Sequence, residues 1–374
     1  MAWREISVMD QRREFVMLAT LDGANISALC KRFGISRQTG YLWLRRSKAG
    51  ETVKDRSRRP HSSPRRTSDD LERCVLAIRD EHPAWGARKI ARRMHDLGME
   101  PPSASTVHAV LSRHGRIGTQ ASERMADGHF EREAPNLLWQ MDFKGRTQMS
   151  CGNWCYPLTI IDDHSRFAVA IEACPNEQLE TVQTKLEEIF RRYGMPLAIY
   201  CDNGNPWGAG VPNQWTRLRV WLLKLGIELI HSRPYHPQGR GKNERFHRSL
   251  KAEVTDFATL SDQKHAQRAF DRWREIYNHH RPHEAIGMAV PASRYQTSPR
   301  TFPHQLPEPV YDRSEIVRSV SSTKGYVSFK GKAWRIPNAF RSERLAIRPL
   351  DSPGLFGVFF GATQIAKINL EGKV

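Results

Sequence analysis

Long apolar runs are missing from this 374-residue chain. No stretch approaches the ~20 consecutive apolar residues that a spanning helix needs, so a membrane partner is not expected. The opening MAWREISVMDQRREF has no signal-peptide core, so a cytoplasmic protein is expected. Cysteine is scarce, with six scattered at 30, 74, 151, 155, 174 and 201. Cys151 and Cys155 have half the spacing of a zinc site, yet no second Cys/His pair follows at ligand distance. They read as residues flanking a hairpin in a reducing compartment. No repeat of solenoid length is present.

Acid is also in short supply: 40 Asp and Glu face 58 Lys and Arg, a formal charge of +18. The excess comes in blocks. Residues 45–66 hold nine Lys/Arg against two acids, and 231–251 hold six against one. Clustered positive charge points to a phosphate polyanion, because neutralising phosphates releases condensed counterions.

Residues 9–47 read as three short helices. Asn25 caps one, Gly34-Ile35 turns the chain, and Ser36 caps "RQTGYLWLRR". That is the helix-turn-helix pattern. Arg37, Gln38 and Thr39 fall where a recognition helix meets base edges, with Arg45, Arg46 and Lys48 as a basic tail. "RSRRPHSSPRR" reads as an extended linker, with Arg58, Arg59, Arg65 and Arg66 suited to phosphates or a minor groove. A second helix-turn-helix is expected over 68–116, with Arg88, Lys89, Arg92, Arg93 and Arg113 as backbone contacts.

From Leu137 the periodicity turns to β. "LLWQMDFKGRTQM", "CYPLTIIDDHS" and "RFAVAIEAC" predict an antiparallel meander. An amphipathic helix, the apolar strand "PLAIYCD", a helix, "IELIHS" and a long helix from about Asn243 follow. The order predicts a layered α/β sheet with helices on both sides. The basic region 311–374, with eleven Lys/Arg against five acids, reads as a small β-barrel with an auxiliary DNA-binding role.

Asp is depleted inside strands, yet Asp142 sits within "LLWQMDFKG". An ionised, unpartnered carboxylate there costs several kcal/mol. Asp202 lies at the carboxyl end of a buried strand, the edge where open α/β sheets place ligands. Glu244 falls in the first turn of the late helix. Brought together, three carboxylates repel one another, and a divalent cation reverses that penalty. Oxygen donors suit Mg²⁺ or Mn²⁺, as two ions that assist phosphodiester displacement. Arg248 and Lys251 lie on the Glu244 flank, with His247 beside them, and Arg240 and Lys242 precede it in a Gly-hinged loop. All four cations are expected to meet phosphates. Asp162 and Asp163, where two strands turn, read as turn caps.

"WQMDFKG", "IIDDHSRF", "YCDNGNP" and "RPYHPQGRGKNERFHRSLK" resemble the integrase core of bacterial insertion-sequence transposases, the DDE group related to retroviral integrases. The resemblance implies a ribonuclease-H-like fold, a mixed five-stranded sheet with flanking helices, and the metal triad Asp142, Asp202 and Glu244. It also implies binding to the inverted-repeat ends of a mobile element, cleavage, strand transfer into double-stranded target DNA, and a homo-oligomer working on the nucleoid. The 41 residues between Asp202 and Glu244 exceed the family's usual spacing, and the surplus matches "NPWGAGVPN", read as a surface insertion over 205–213. Tyr235, Pro237 and Gln238 fit the family's loop and favour Glu244 over Glu228 or Glu253. The expected layout is 1–50 helix-turn-helix, 51–67 linker, 68–116 second helix-turn-helix, 117–135 linker, 136–298 catalytic core and 311–374 barrel. Two other readings compete: an inactive integrase-like DNA-binding regulator, and a nuclease for RNA–DNA hybrids, which leaves the helix-turn-helix units unexplained.

Overall fold

The computed structural model describes residues 7–55, 67–117, 131–208, 214–232, 241–255 and 259–371. The chain forms two compact units, Met1–Arg66 and Thr67–Val374.

In the first unit, α1 (Val8–Ala19), α2 (Ile26–Arg32) and α3 (Arg37–Lys48) each begin on a polar cap. The Ser7, Asn25 and Ser36 side chains accept backbone N–H groups of Asp10, Ala28 and Thr39, which satisfies donors that a helix start leaves open. Phe15, Cys30 and Leu44 form the core. Gly40 lets α3 approach closely: a Cβ there would stand 2.6 Å from the Cys30 Sγ and 2.9 Å from the Phe15 ring.

The second unit opens with α4 (Asp69–Glu81), α5 (Ala87–Asp96) and α6 (Ala104–Arg113). Val75, Trp85, Ile90, Met94 and Val107 fill their core, and Ile276 packs against it. Six strands follow, β1 (Leu138–Phe143), β2 (Thr147–Gln148), β3 (Trp154–Asp162), β4 (Ala168–Cys174), β5 (Ala198–Cys201) and β6 (Glu228–His231). The main sheet runs β4-β3-β1-β5-β6, with short β2 paired to the start of β3. Its first three strands are antiparallel and β1, β5 and β6 are parallel, the mixed five-stranded, ribonuclease-H-like sheet expected. The single run anticipated over 137–149 is broken by Lys144–Arg146 into β1 and β2. Cys155 on β3 pairs with Thr147, and Cys151 sits exposed in the intervening turn.

Apolar alternation decides which face each helix covers. Trp139, Met141, Ile199 and Cys201 point into one core with α7 (Leu179–Tyr193) and α8 (Arg217–Lys224). The opposite face packs α9 (Gly241–Leu250) and α10 (Gln263–His279) through Phe246, Leu250, Phe270 and Trp273 onto Ile161 and Ala168. A π-helical turn, Lys251–Thr255, continues α9.

In the region expected as a barrel, β7 (Ile316–Ser319), β10 (Arg344–Pro349), β11 (Leu355–Phe360) and β12 (Thr363–Asn369) form an antiparallel sheet. A hairpin of β8 (Tyr326–Phe329) and β9 (Lys332–Arg335) lies beside it. Both share one core with Val220 of α8.

Candidate active site and nucleic-acid interface

The register of β1 on β5 pairs Leu138 with Ala198, Trp139 with Ile199 and Gln140 with Tyr200. Two residues further along stand Asp142, on β1, and Asp202, immediately after β5. Adjacent strands are about 4.8 Å apart. Trp139 and Met141 face the α7 side, so Asp142 faces the α9 side, because side chains alternate across a strand. Continued one residue past the end of β5, the same alternation from Ile199 and Cys201 carries Asp202 to the α9 side. The two carboxylates therefore end neighbouring parallel strands on one face.

Local bonds hold that edge. The Asp202 carboxylate accepts the Gly204 N–H at 2.8 Å, and His231 Nδ1–H donates to the Asp202 carbonyl at 2.8 Å. Burial lowers the His231 pKa, as does nearby Arg219. Asn203 Nδ2–H donates to the Ser232 carbonyl at 2.9 Å. The segment after Asp202 departs from the surface insertion expected over 205–213. Trp207 is only 1% exposed and joins the α7-side core. Its indole stacks on Phe143, ring centroids 5.2 Å apart. Residues 209–213 lie outside the described residues.

Helix α9 seats Phe246 and Leu250 on the sheet. One turn after Glu244, His247 meets the strand that partners Asp142. The Thr159 hydroxyl donates to the Asp142 carbonyl at 2.9 Å. Having spent its only proton, Thr159 accepts from His247 Nε2–H at 2.7 Å. Burial, and secondarily Lys144, push the His247 imidazole down to about 4, so it is neutral. Glu244 and Arg248 are exposed on the flank of α9. Lys251, expected on the same helix, is exposed at the start of the π-helical turn. Among the described residues, no group of three or more His, Cys, Asp or Glu side chains stands ready to enclose a metal. The sheet brings Asp142 and Asp202 together, and Glu244 is not gathered with them into such a group. Hard oxygen donors at an open sheet edge fit a divalent cation such as Mg²⁺.

Lys242, expected to clamp DNA, places its ammonium on the Asp163 carboxylate. Asp162 caps its turn as anticipated, accepting from the Ser165 N–H and hydroxyl and the Asn136 N–H. Arg240, Arg58, Arg59, Arg65, Arg66, Tyr235, Pro237 and Gln238 lie outside the described residues.

On α3, Arg37, Gln38 and Arg45 are exposed. Thr39 is half-buried, and its hydroxyl bonds to the Ser36 hydroxyl at 2.9 Å. Arg46 is half-buried over the Trp43 ring. Tyr41, which sequence reasoning passed over, is 57% exposed. It lies one turn from both Arg37 and Arg45 and completes their face. Its i+4 spacing from Arg37 was the available signal.

In the second helical unit, Arg88 is exposed and Arg93 half-buried. Arg92 bonds Asp96 and Arg113 bonds buried Glu72, each at 2.8 Å. Lys89 is half-buried, and burial, with Arg281 beside it, pushes its pKa down to about 8.

Comparison with known proteins gives matches along most of the chain. Residues 132–237 and 225–291 each match an integrase core domain, and 315–373 match the C-terminal domain of IS481 family transposases. Residues 11–61 match a helix-turn-helix domain, and 39–111 a homeodomain-like domain. The uncharacterized 31.7 kDa protein of insertion element IS407 from Burkholderia multivorans is 26% identical, over 60% of this chain and 81% of that one. The uncharacterized 39.2 kDa protein of IS476 from Xanthomonas euvesicatoria is 25% identical, over 61% and 65%. The Gag-Pol polyprotein of baboon endogenous virus is 29% identical over 48% of this chain and 10% of the polyprotein. Among solved structures, the magnesium complex of the HTLV-2 integrase catalytic core domain is 17% identical, covering 44% of this chain and 99% of its own, with a TM-score of 0.33.

Proposed function

We propose, from the premise that this chain belongs to the bacterial insertion-sequence transposases of the retroviral-integrase superfamily, that it cuts the ends of its own element and joins them to target DNA. The single observation behind this reading is the placement of Asp142 and Asp202 at the ends of adjacent parallel strands, on the face that α9 covers.

Asp142, Asp202 and Glu244 would hold two Mg²⁺ ions, with Mn²⁺ as a substitute. Such ions, when bound, stabilise the attacking and leaving oxygens of an in-line displacement. Around them the chain's own groups position DNA. Arg248 and Lys251, both exposed, take phosphates beside Glu244. Neutral His247 keeps α9 against β3 through Thr159. Exposed Arg37 and Gln38, with Tyr41, read base edges at the element end. Arg45, Arg46, Arg58, Arg59 and Arg240 add phosphate contacts, which position the duplex without reading it. Water attacks a phosphodiester at the element end to leave a 3′-OH and a 5′-phosphate. That 3′-OH then attacks a target phosphorus, forming a new P–O bond and releasing a target 3′-OH. Two ends must be handled together, which calls for a second copy of the chain on DNA in the bacterial nucleoid. Among the described residues no helix is long and apolar enough to cross a membrane. The layout of two helix-turn-helix units, catalytic core and terminal β-module divides end binding from chemistry.

The test is joining of a pre-cut duplex, made from the sequence flanking the gene, to target DNA in Mg²⁺. Asp202→Asn and Glu244→Gln should lose joining by orders of magnitude while still binding the duplex. Undiminished joining would remove the triad assignment. One observation favours a second reading, an inactive DNA-binding regulator: no three acids form a ready group among the described residues. Tight binding of those duplexes by the wild-type protein, without cutting or joining in Mg²⁺ or Mn²⁺, would establish it.

A further inference from the structure

We propose that Asp163 and Lys242 are a positioning pair that sets where Glu244 stands relative to Asp142, an inference that rests on the carboxylate–metal reading above. Asp163 is fully buried just beyond the end of β3. Its Oδ2 accepts the Arg132 N–H at 2.8 Å, and its Oδ1 accepts Gln140 Nε2–H at 2.7 Å. The Lys242 ammonium donates to the same Oδ1 and reaches the Asp163 carbonyl at 3.3 Å. The Asp163 N–H donates to the Leu138 carbonyl at 3.0 Å.

These partners lie beside the catalytic acids. Gln140 precedes Asp142 by two residues on β1, so both side chains share one face of the sheet. Lys242 precedes Glu244 by two residues in the first turn of α9. One buried carboxylate is thereby bonded to both segments that carry chemistry. The remaining described attachments of α9 act further along it. Phe246 and Leu250 pack without directional preference, and His247 bonds Thr159 a turn beyond Glu244. Among the described residues, the Lys242–Asp163 bond gives the first turn a directional anchor beside buried Asn243, where Glu244 must reach toward the sheet edge. The ammonium is also mostly sequestered, its side chain 16% exposed. Its charge serves a buried anion, which removal of the lysine would leave without a cationic partner at that oxygen.

The test uses the whole 374-residue chain, with Mn²⁺ alone as the probe. Binding is followed by electron paramagnetic resonance for Lys242→Gln, Lys242→Arg, Glu244→Gln and the Lys242→Gln/Glu244→Gln double variant. Lys242→Gln should weaken Mn²⁺ several-fold, and Lys242→Arg should restore most of the loss. The double variant should be no weaker than Glu244→Gln, because the lysine acts through the glutamate. Salt dependence of binding to a short duplex of arbitrary sequence should be unchanged in Lys242→Gln. A flattened slope would identify Lys242 as a phosphate contact and overturn the proposal, as would additive losses or wild-type Mn²⁺ binding by Lys242→Gln. Hydrogen exchange distinguishes local from global damage: faster exchange confined to the first turn of α9 supports positioning, and loss of protection throughout the sheet overturns it. Wild-type Mn²⁺ binding by Glu244→Gln would instead remove the metal reading on which the inference rests.

Discussion

Trp207 stacks on Phe143 with ring centroids 5.2 Å apart and planes inclined by 22°. The contact ties the loop that follows Asp202 to the residue that follows Asp142. An insertion that looks dispensable by composition thus has one side chain buried beneath the site.

Trp207→Ala removes a fully buried indole and should destabilise the larger unit by about 3–5 kcal/mol. Trp207→Phe keeps an aromatic partner for Phe143 and should recover much of that loss. Chemical denaturation of the two variants measures the difference, and joining activity should follow the same order.

Gly40→Ala tests the seat of α3. The added methyl would meet the Cys30 sulfur and the Phe15 ring, both buried in the small core of the first unit. Overpacking of this kind costs about 1–3 kcal/mol. Thermal unfolding should show the first unit melting earlier, with the transition of the larger unit unmoved. Duplex binding should weaken in parallel.

Acid should destabilise the core through His247. Its folded-state pKa is about 4, below the ordinary 6.5, because burial disfavours the charged ring. Between those values the unfolded chain takes up a proton that the folded chain refuses. The neutral histidine therefore favours folding above pH 6.5, and that contribution is lost as pH falls toward 4, by about 3 kcal/mol in total. His283 is depressed in the same direction. His247→Gln should flatten part of the decline, read from denaturation midpoints at pH 7, 5.5 and 4.5.

Arg248→Ala with Lys251→Ala tests the exposed cations beside Glu244. If both meet phosphates, the slope of log affinity against log salt should fall by about two. Filter binding of a duplex at several salt concentrations gives that slope.

Much of the site was legible because its signals are local or periodic. Ser36 and Asn25 announce helix starts, and the alternation of Trp139, Gln140, Met141 and Asp142 already assigns the acid to a face opposite the tryptophan. What escaped depends on pairings between distant segments. Nothing near Lys242 says that its ammonium will meet Asp163, 79 residues earlier. The glycines and prolines around Trp207 signal a loop and are silent on the Phe143 ring that receives it. Thr39 has the chemistry of a base reader, and only the capping geometry shows its hydroxyl engaged by Ser36.

The most direct measurement is diffraction from crystals soaked in Mn²⁺, with data collected at the manganese absorption edge. Anomalous density is expected between the carboxylates of Asp142 and Asp202, within reach of Glu244. Manganese bound elsewhere, or no density at that sheet edge at saturating Mn²⁺, would contradict it.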